Sequence, residues 1–209
     1  MPKLIVIDGI DGSGKATQTA LFAEKIEQSR VVSFPNYESF SSSLVREYLA
    51  GSIDQNPAGV NAYAAASFYA ADRYISYKTE WGSDYESGMT ILCDRYTTSN
   101  AVHQMQKLPE NQWDDFLDWL FDYEYEKLEI PKPDKVIYLD VLPEISAALI
   151  ESRGRTKDIH ENMEFLTSSR NAALYAAKRQ GWSVIKCYDD AGILPIEVIH
   201  ERILVDIIL

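Results

Sequence analysis

Leu4-Ile5-Val6-Ile7-Asp8-Gly9-Ile10-Asp11-Gly12-Ser13-Gly14-Lys15-Ala16-Thr17-Gln18 decides how the rest of the chain is read. Its first four residues are apolar and mostly β-branched, which predicts a buried strand. A loop with glycines at 9, 12 and 14 follows, and then a mixed polar and apolar segment suited to a helix. Gly9-x-x-x-x-Gly14-Lys15 fits the phosphate-binding pattern G-x-x-x-x-G-K-[ST] at every position but the last. There Ala16 replaces the hydroxyl that binds Mg²⁺. Glycines let successive backbone N–H groups turn inward around a polyphosphate, and the helix N-terminus adds its positive end. Lys15 adds a mobile cation for the outer phosphates. A tight strand-to-helix turn could hold the same glycines, but strand, loop, lysine and helix in this order point to nucleotide binding.

The 209 residues suffice for one well-cored domain and are short for two. A net charge of −12 argues against a nucleic-acid partner and against an anionic membrane surface. A nucleotide site must then be a local basic patch in an acidic chain. The only cysteines, Cys93 and Cys187, stand at the ends of predicted strands. Two cysteines without a C-x-x-C spacing exclude a disulfide framework and read as buried small hydrophobes in a reducing compartment. With no signal-like segment and no apolar run of spanning length, the chain is expected to be cytoplasmic.

Helix one is expected from Gly14 to about Gln28, with a short second strand at 31–33 stopped by Pro35. Ser39 to Ser43 offer N-caps for a helix through Leu49, and a long Ala- and Tyr-rich helix is expected over about 58–77. The third strand, 89–93, delivers Asp94-Arg95-Tyr96 at its C-terminal end. Trp113, Phe116, Leu117, Leu120 and Phe121 repeat at helical spacing, a face packed on a core. Strands four and five are expected at 135–139 and 183–187. Pro143 sits early in a helix, Gly181 closes one that resumes after the 152–157 interruption, and Ile196, Ile199 and Ile203 mark the last. Strands alternating with helices predict right-handed crossovers and an α/β fold. Its five-stranded parallel sheet is covered by helices on both faces, giving three layers in a single domain, 1–209. Ligands bind beyond the carboxyl ends of such strands, where the loop after strand one, Phe34-Pro35 and Asp94-Arg95-Tyr96 converge.

Arg95 offers a planar fork for a second phosphate beside the loop. Asp94 ends an apolar strand, where a carboxylate can reach a metal ion or its waters. Ion pairing between strand ends is the plainer alternative for both, and a solvated helix face explains Asp72-Arg73 equally well. Ser152-Arg153-Gly154-Arg155-Thr156-Lys157 packs three cations into five positions. That is either a solvated turn or a lid, at about 151–161, closing cations over a transferring phosphoryl group. No Ser-His-Asp spacing occurs, and three scattered histidines make no metal site.

Together these residues resemble the thymidylate kinase family over nearly the whole chain. Gly9-Ile10-Asp11-Gly12-Ser13-Gly14-Lys15-x-Thr17-Gln18 is similar to the family's phosphate loop. Phe34-Pro35, Tyr69-x-x-Asp72-Arg73 and Asp94-Arg95-Tyr96-x-x-Ser99-Asn100 are similar to its substrate motifs, and their order and spacing make the likeness far more specific than the loop alone. The resemblance implies a P-loop nucleoside monophosphate kinase that converts dTMP to dTDP with ATP and Mg²⁺. ATP would lie on Gly9, Asp11, Gly12, Ser13, Gly14, Lys15, Ala16 and Thr17, with Arg153 from the lid. Asp11 would also contact the acceptor's 3′-hydroxyl, and Arg95 its phosphate. Phe34, Pro35 and Tyr69 would pack on the base and Arg73 and Asn100 would hydrogen-bond its edge, with Tyr37, Ser99 and Gln104 nearby. Lys15, Arg153 and Arg155 would hold the transferring group, and Asp94 the metal through water. The family's usual homodimer, built on helix faces, is implied as well. Three departures stand out: Ala16, Asn36 where many members carry an arginine, and His103 where many carry a tyrosine lining the deoxyribose. They leave as alternatives a kinase for another deoxynucleotide and, because of Ala16, a nucleotide-binding regulatory domain without turnover.

Overall fold

Strand β1, Leu4–Gly9, is buried along its whole length, so both of its faces must be covered. Ile5 and Ile7 point into one core with Phe22, Leu92, Ile137, Leu139, Ile199 and Ile203. Leu4 and Val6 point into a second core with Ile91, Cys93, Tyr77, Trp81 and Tyr96. This period of two inside a continuous apolar run is what a parallel strand covered on both faces requires. The computed structural model describes residues 3–56, 59–152 and 163–208.

On either side of β1 lie β3 (Thr90–Asp94) and β4 (Lys135–Asp140), with β2 (Ser29–Ser33) and β5 (Ser183–Lys186) outermost. The order is β2-β3-β1-β4-β5 and every pairing is parallel. Because β1 is central, its C-terminal loop opens between the loops that leave β3 and β4. A crevice for ligands forms there. Two bonds carry the ladder into it: Phe34 N donates to Asp94 O at 3.0 Å and Arg95 N to Ile7 O at 3.1 Å.

Helix α1 (Lys15–Ala23) ends five residues before the expected Gln28. The Ser29 hydroxyl donates to the carbonyls of Ile26 and Ala23 at 3.1 and 3.4 Å, closing the helix end, and Gln28 turns at φ 59° into β2. Strand β2 consequently begins at Ser29, ahead of the expected residue 31. Helix α2 (Ser43–Leu49) follows a 3₁₀ turn capped by Ser39, whose side chain accepts from Ser41 N. Helix α3 (Ala62–Ser76) starts later than expected because Asn61 caps it, its side chain accepting from Ala64 N at 2.9 Å. It runs through a π turn, Tyr77–Trp81, into α4 (Gly82–Glu86). A Cβ at Gly82 would lie 2.5 Å from the Tyr77 carbonyl, so the π turn requires glycine there.

Helix α5 (Thr98–His103) leaves the site, and α6 (Trp113–Phe121) buries Trp113, Phe116, Leu117 and Leu120 of the expected face and leaves Phe121 half-buried. A second π turn, Asp122–Lys127, extends α6. Helix α7 (Pro143–Ser152) begins at Pro143, and α8 (Met163–Gln180) ends before Gly181, at φ 70°. A small hairpin of β6 (Tyr188–Asp189) and β7 (Gly192–Ile193) precedes α9 (Ile196–Ile208), and periodicity gave no sign of it. Cys93 and Cys187 are buried free thiols. Among the described residues no helix is long and apolar enough to cross a membrane.

Candidate active site

The phosphate loop joins β1 to α1, and its shape depends on the absence of side chains. Gly12 and Gly14 sit at φ 77° and 87°, where an L residue is strained. A Cβ at Gly9 would lie 2.5 Å from Ser13 Oγ and 2.9 Å from the Leu139 carbonyl. One at Gly12 would meet the Ser146 carbonyl at 2.9 Å, because α7 packs directly on the loop. Ser146 Oγ also donates to the Asp11 carbonyl. Lys15 is buried, and its Nζ folds back to donate to the Ile10 carbonyl at 2.9 Å. Burial, reinforced by Arg95 and opposed by Asp11, Asp94 and Asp8, pushes its pKa down to about 8. Ala16 and Thr17 are exposed on the first turn of α1.

Beside the loop opens a cavity of about 320 Å³. All ten residues expected around the acceptor line it: Asp11, Phe34, Pro35, Tyr37, Tyr69, Arg73, Arg95, Ser99, Asn100 and Gln104. Ser33, Leu49, His103 and Phe165 complete the wall. Phe165, from α8, stacks on His103 with ring centroids 5.9 Å apart and planes 4° from parallel. Its neighbour in sequence gave no clue, since the contact spans more than sixty residues. Gln104 Oε1 is a buried acceptor without a partner among the described residues.

Arg95 adopts φ 69°, uncommon for a residue with a side chain, so its backbone bonds to β1 while its guanidinium enters the cavity. It ion-pairs with Asp11 and donates from Nη1 to His103 Nε2 at 2.8 Å. That bond makes Nε2 the acceptor of His103. Burial would raise the Asp11 pKa, but the Arg95 and Lys15 cations outweigh it and hold the carboxyl well below the usual range. Asp94, at the end of β3, is raised by burial against the opposing pull of Lys15 and Arg95. Its Oδ1 is a buried acceptor with no partner among the described residues.

Three carboxylates outside the expected set hold the site residues from behind. Asp8 is fully buried and accepts from Ser99 Oγ at 2.8 and 3.0 Å, from Thr98 Oγ1 and from Gly9 N. It thus ties the loop to α5. Glu124 binds Arg73 through Nε and Nη2 and also receives Asn100 Nδ2. Asp72, the residue before Arg73 in α3, accepts from Asn36 N at 3.0 Å and from Ser41 Oγ, fixing the Phe34-Pro35 loop. The Phe34–Pro35 peptide is cis. Asn36 turns its side chain to Glu80, with Nδ2 2.9 Å from Oε2. Asp72 stands inside the Tyr69-x-x-Asp72-Arg73 motif, but nothing in the sequence points to these roles for Asp8 and Glu124; their burial does. Among the described residues no cluster of three or more His, Cys, Asp or Glu side chains could hold a metal ion. Arg153, Arg155, Lys157 and nearly all of the expected lid fall in 153–162, outside the described residues.

The family model for thymidylate kinase matches residues 7–203. A thymidylate kinase of Mycobacterium tuberculosis is 31% identical, over 86% of this chain and 87% of its own. A probable thymidylate kinase of Pyrobaculum aerophilum is 30% identical over 93% and 91%. In fold, a thymidylate kinase structure from Candida albicans superposes with a TM-score of 0.71 at 21% identity, covering 98% of this chain and 90% of that one. A family match across nearly the whole length, with relatives this similar over most of theirs, places the chain: it belongs to the thymidylate kinase family.

Proposed function

We propose that this chain is a nucleoside monophosphate kinase that transfers the γ-phosphoryl group of ATP to dTMP, giving dTDP and ADP. The observation that carries the reading is the convergence of two sites at one point. The phosphate loop and the acceptor cavity share Asp11, and Arg95 reaches from the cavity wall to it.

The glycine-shaped loop presents backbone N–H groups to the ATP phosphates, and Lys15, anchored on the Ile10 carbonyl, adds charge beside them. Arg95 binds the acceptor phosphate. Asp11 and His103 hold its guanidinium from two sides, so little freedom is lost when the phosphate arrives. Catalysis is then positioning and charge stabilisation for an in-line transfer, with Arg153 and Arg155 supplying further positive charge. Asp11 orients the acceptor's sugar, and Phe34, Pro35 and Tyr69 hold its base.

The residues present fit a magnesium ion. Asp94 Oδ1 is a buried acceptor without a partner among the described residues and feels the charge of Lys15, and Mg²⁺ takes one or two carboxylates and fills its remaining positions with waters and phosphates. Asp94, with Asp11, would hold the ion through water. When bound it neutralises charge on the phosphates. The single-domain organisation, a homodimer built on helix faces and a cytoplasmic location complete the proposal.

A coupled assay of ADP release with dTMP, dUMP, dCMP, dGMP and AMP tests it. Turnover is expected with dTMP and strictly dependent on Mg²⁺. ATP binding without turnover of any monophosphate overturns the enzyme reading.

A further inference from the structure

The wall formed by Arg73 and Asn100 is backed by Glu124, a fully buried carboxylate in the π turn after α6. Glu124 Oε2 accepts from Arg73 Nε at 2.6 Å and from Thr97 Oγ1 at 2.8 Å. Oε1 accepts from Arg73 Nη2 at 2.5 Å and from Asn100 Nδ2 at 3.1 Å. Arg73 and Asn100 line the cavity, whereas Glu124 and Thr97 lie behind it.

Asn100 Nδ2 also donates to the Ala66 carbonyl at 3.1 Å. Both partners of that nitrogen can only accept. The amide therefore cannot turn over without setting Oδ1 against two oxygens. With both N–H groups engaged behind the wall, what Asn100 can offer a ligand is Oδ1, an acceptor. Arg73 engages Nε and Nη2 on Glu124, so what it can offer is Nη1, a donor.

We propose that Glu124 is the positioning residue that fixes this order of one acceptor and one donor. The cavity thereby selects a base that presents a ring N–H beside a carbonyl oxygen and rejects one that presents a bare ring nitrogen beside an amino group. Thymine and uracil have the first order; cytosine and adenine have the reverse. Guanine has the first order on a larger ring system, so its rejection falls to the size of the cavity. The inference rests on the reading of the cavity as the acceptor-nucleotide site. A site with its hydrogen-bonding groups held in one polarity discriminates strongly, because the wrong base leaves buried groups facing like groups. Glu124 enforces that polarity without touching the base.

The test compares kcat/KM for dTMP, dUMP and dCMP in the wild type, Glu124→Gln and Thr97→Val, with calorimetric binding of the three monophosphates alongside. The wild type should prefer dTMP and dUMP over dCMP by on the order of 100-fold or more. Glu124→Gln keeps the volume but puts an amide N–H against donors. It should lower the dTMP-to-dCMP ratio about tenfold, mainly through KM for dTMP, with KM for ATP unchanged. Thr97→Val touches Glu124 and not the cavity, and should lower the ratio less in the same direction. A folded Glu124→Gln with the wild-type ratio overturns the proposal; if that variant does not fold, a wild-type ratio in Thr97→Val overturns it. Wild-type phosphorylation of dTMP without preference over dCMP also overturns it and leaves the kinase reading intact. Failure of the wild type to bind any monophosphate overturns the reading and the inference together.

Discussion

The phosphate loop and the acceptor cavity adjoin, yet they are built in opposite ways. The loop is one contiguous stretch whose form is set by backbone conformation and by the absence of Cβ atoms at Gly9, Gly12 and Gly14. The cavity is an assembly of side chains whose partners are far apart in sequence: Asp11 with Arg95 across 84 residues, Arg73 with Glu124 across 51. A backbone-made site tolerates changes of side chain and fails on added atoms. A side-chain-made site tolerates small changes of shape and fails when one charge loses its partner. Four experiments can break or sharpen that contrast.

The largest effect is expected in the cavity. Arg95→Ala removes the proposed acceptor-phosphate ligand and strands Asp11, whose depressed pKa depends on that guanidinium. The pair is part-buried, so truncating one member should cost toward the low end of about 2–5 kcal/mol. Steady-state kinetics should show the loss in kcat/KM for dTMP with ATP affinity nearly unchanged. A collapse of ATP affinity with intact acceptor kinetics would erase the distinction between the two sites. Next is Gly12→Ala. The new Cβ would sit 2.9 Å from a backbone carbonyl of α7 at a left-handed φ, a strain of about 1–3 kcal/mol. Thermal unfolding should report the destabilisation, and calorimetry a weaker ATP complex beside near-normal dTMP binding.

The third experiment uses pH. Lys15 titrates near pH 8 in the folded chain against 10.5 as the ordinary lysine value, because burial disfavours its charge. Its cation is what the phosphates attract, so ATP affinity should weaken as pH rises through about 8. The decline cannot exceed about tenfold per pH unit for one group. Stability moves the other way. Between about 8 and 10.5 the unfolded chain holds the proton that the folded chain has lost, so the contribution of Lys15 to stability grows with pH over that window. Lys15→Arg, which stays charged, should flatten the ATP-affinity profile from pH 7 to 9.5. A profile that remains steep in the variant would assign the titration to another group.

Legibility in the sequence follows the same division. The loop could be read because glycine spacing is a direct record of backbone conformation, and the sheet because five apolar runs alternate with helical periods. The cavity's lining was readable only as four motifs with the right spacing. Nothing local said that Arg73 and Asn100 would share one carboxylate, since Glu124 stands in Asp122-Tyr123-Glu124-Tyr125-Glu126, where Asp122 and Glu126 are not buried. A π turn rotates Glu124 inward, and that rotation leaves no period in the sequence. The early end of α1 was hidden for a similar reason: it depends on Ser29 reaching back to Ile26 and Ala23, a contact of side chain with backbone. Phe165 reached the cavity through the packing of α8, which no motif encodes.

The smallest effect is expected where the loop departs from its own pattern. Serine or threonine at position 16 would give a hydroxyl to Mg²⁺; alanine gives none. Thr17 cannot stand in, because the next residue on a helix points about 100° away. The ion need not suffer greatly, since Mg²⁺ keeps several waters and draws its remaining ligands from phosphates and one or two carboxylates. Asp94, whose Oδ1 has no partner among the described residues, is the side chain we propose to anchor those waters. Two substitutions then separate the contributions. Ala16→Ser adds a neutral ligand on an exposed first helical turn, where the propensity cost is only about 0.5 kcal/mol. It should lower the Mg²⁺ concentration for half-maximal rate a few-fold, on the order of 1 kcal/mol or less. Asp94→Asn, which removes charge at the end of β3, should raise that concentration by considerably more. If Ala16→Ser instead changed the Mg²⁺ requirement more than Asp94→Asn does, the metal would be governed by the loop, and the division of labour between backbone and carboxylate would have to be redrawn.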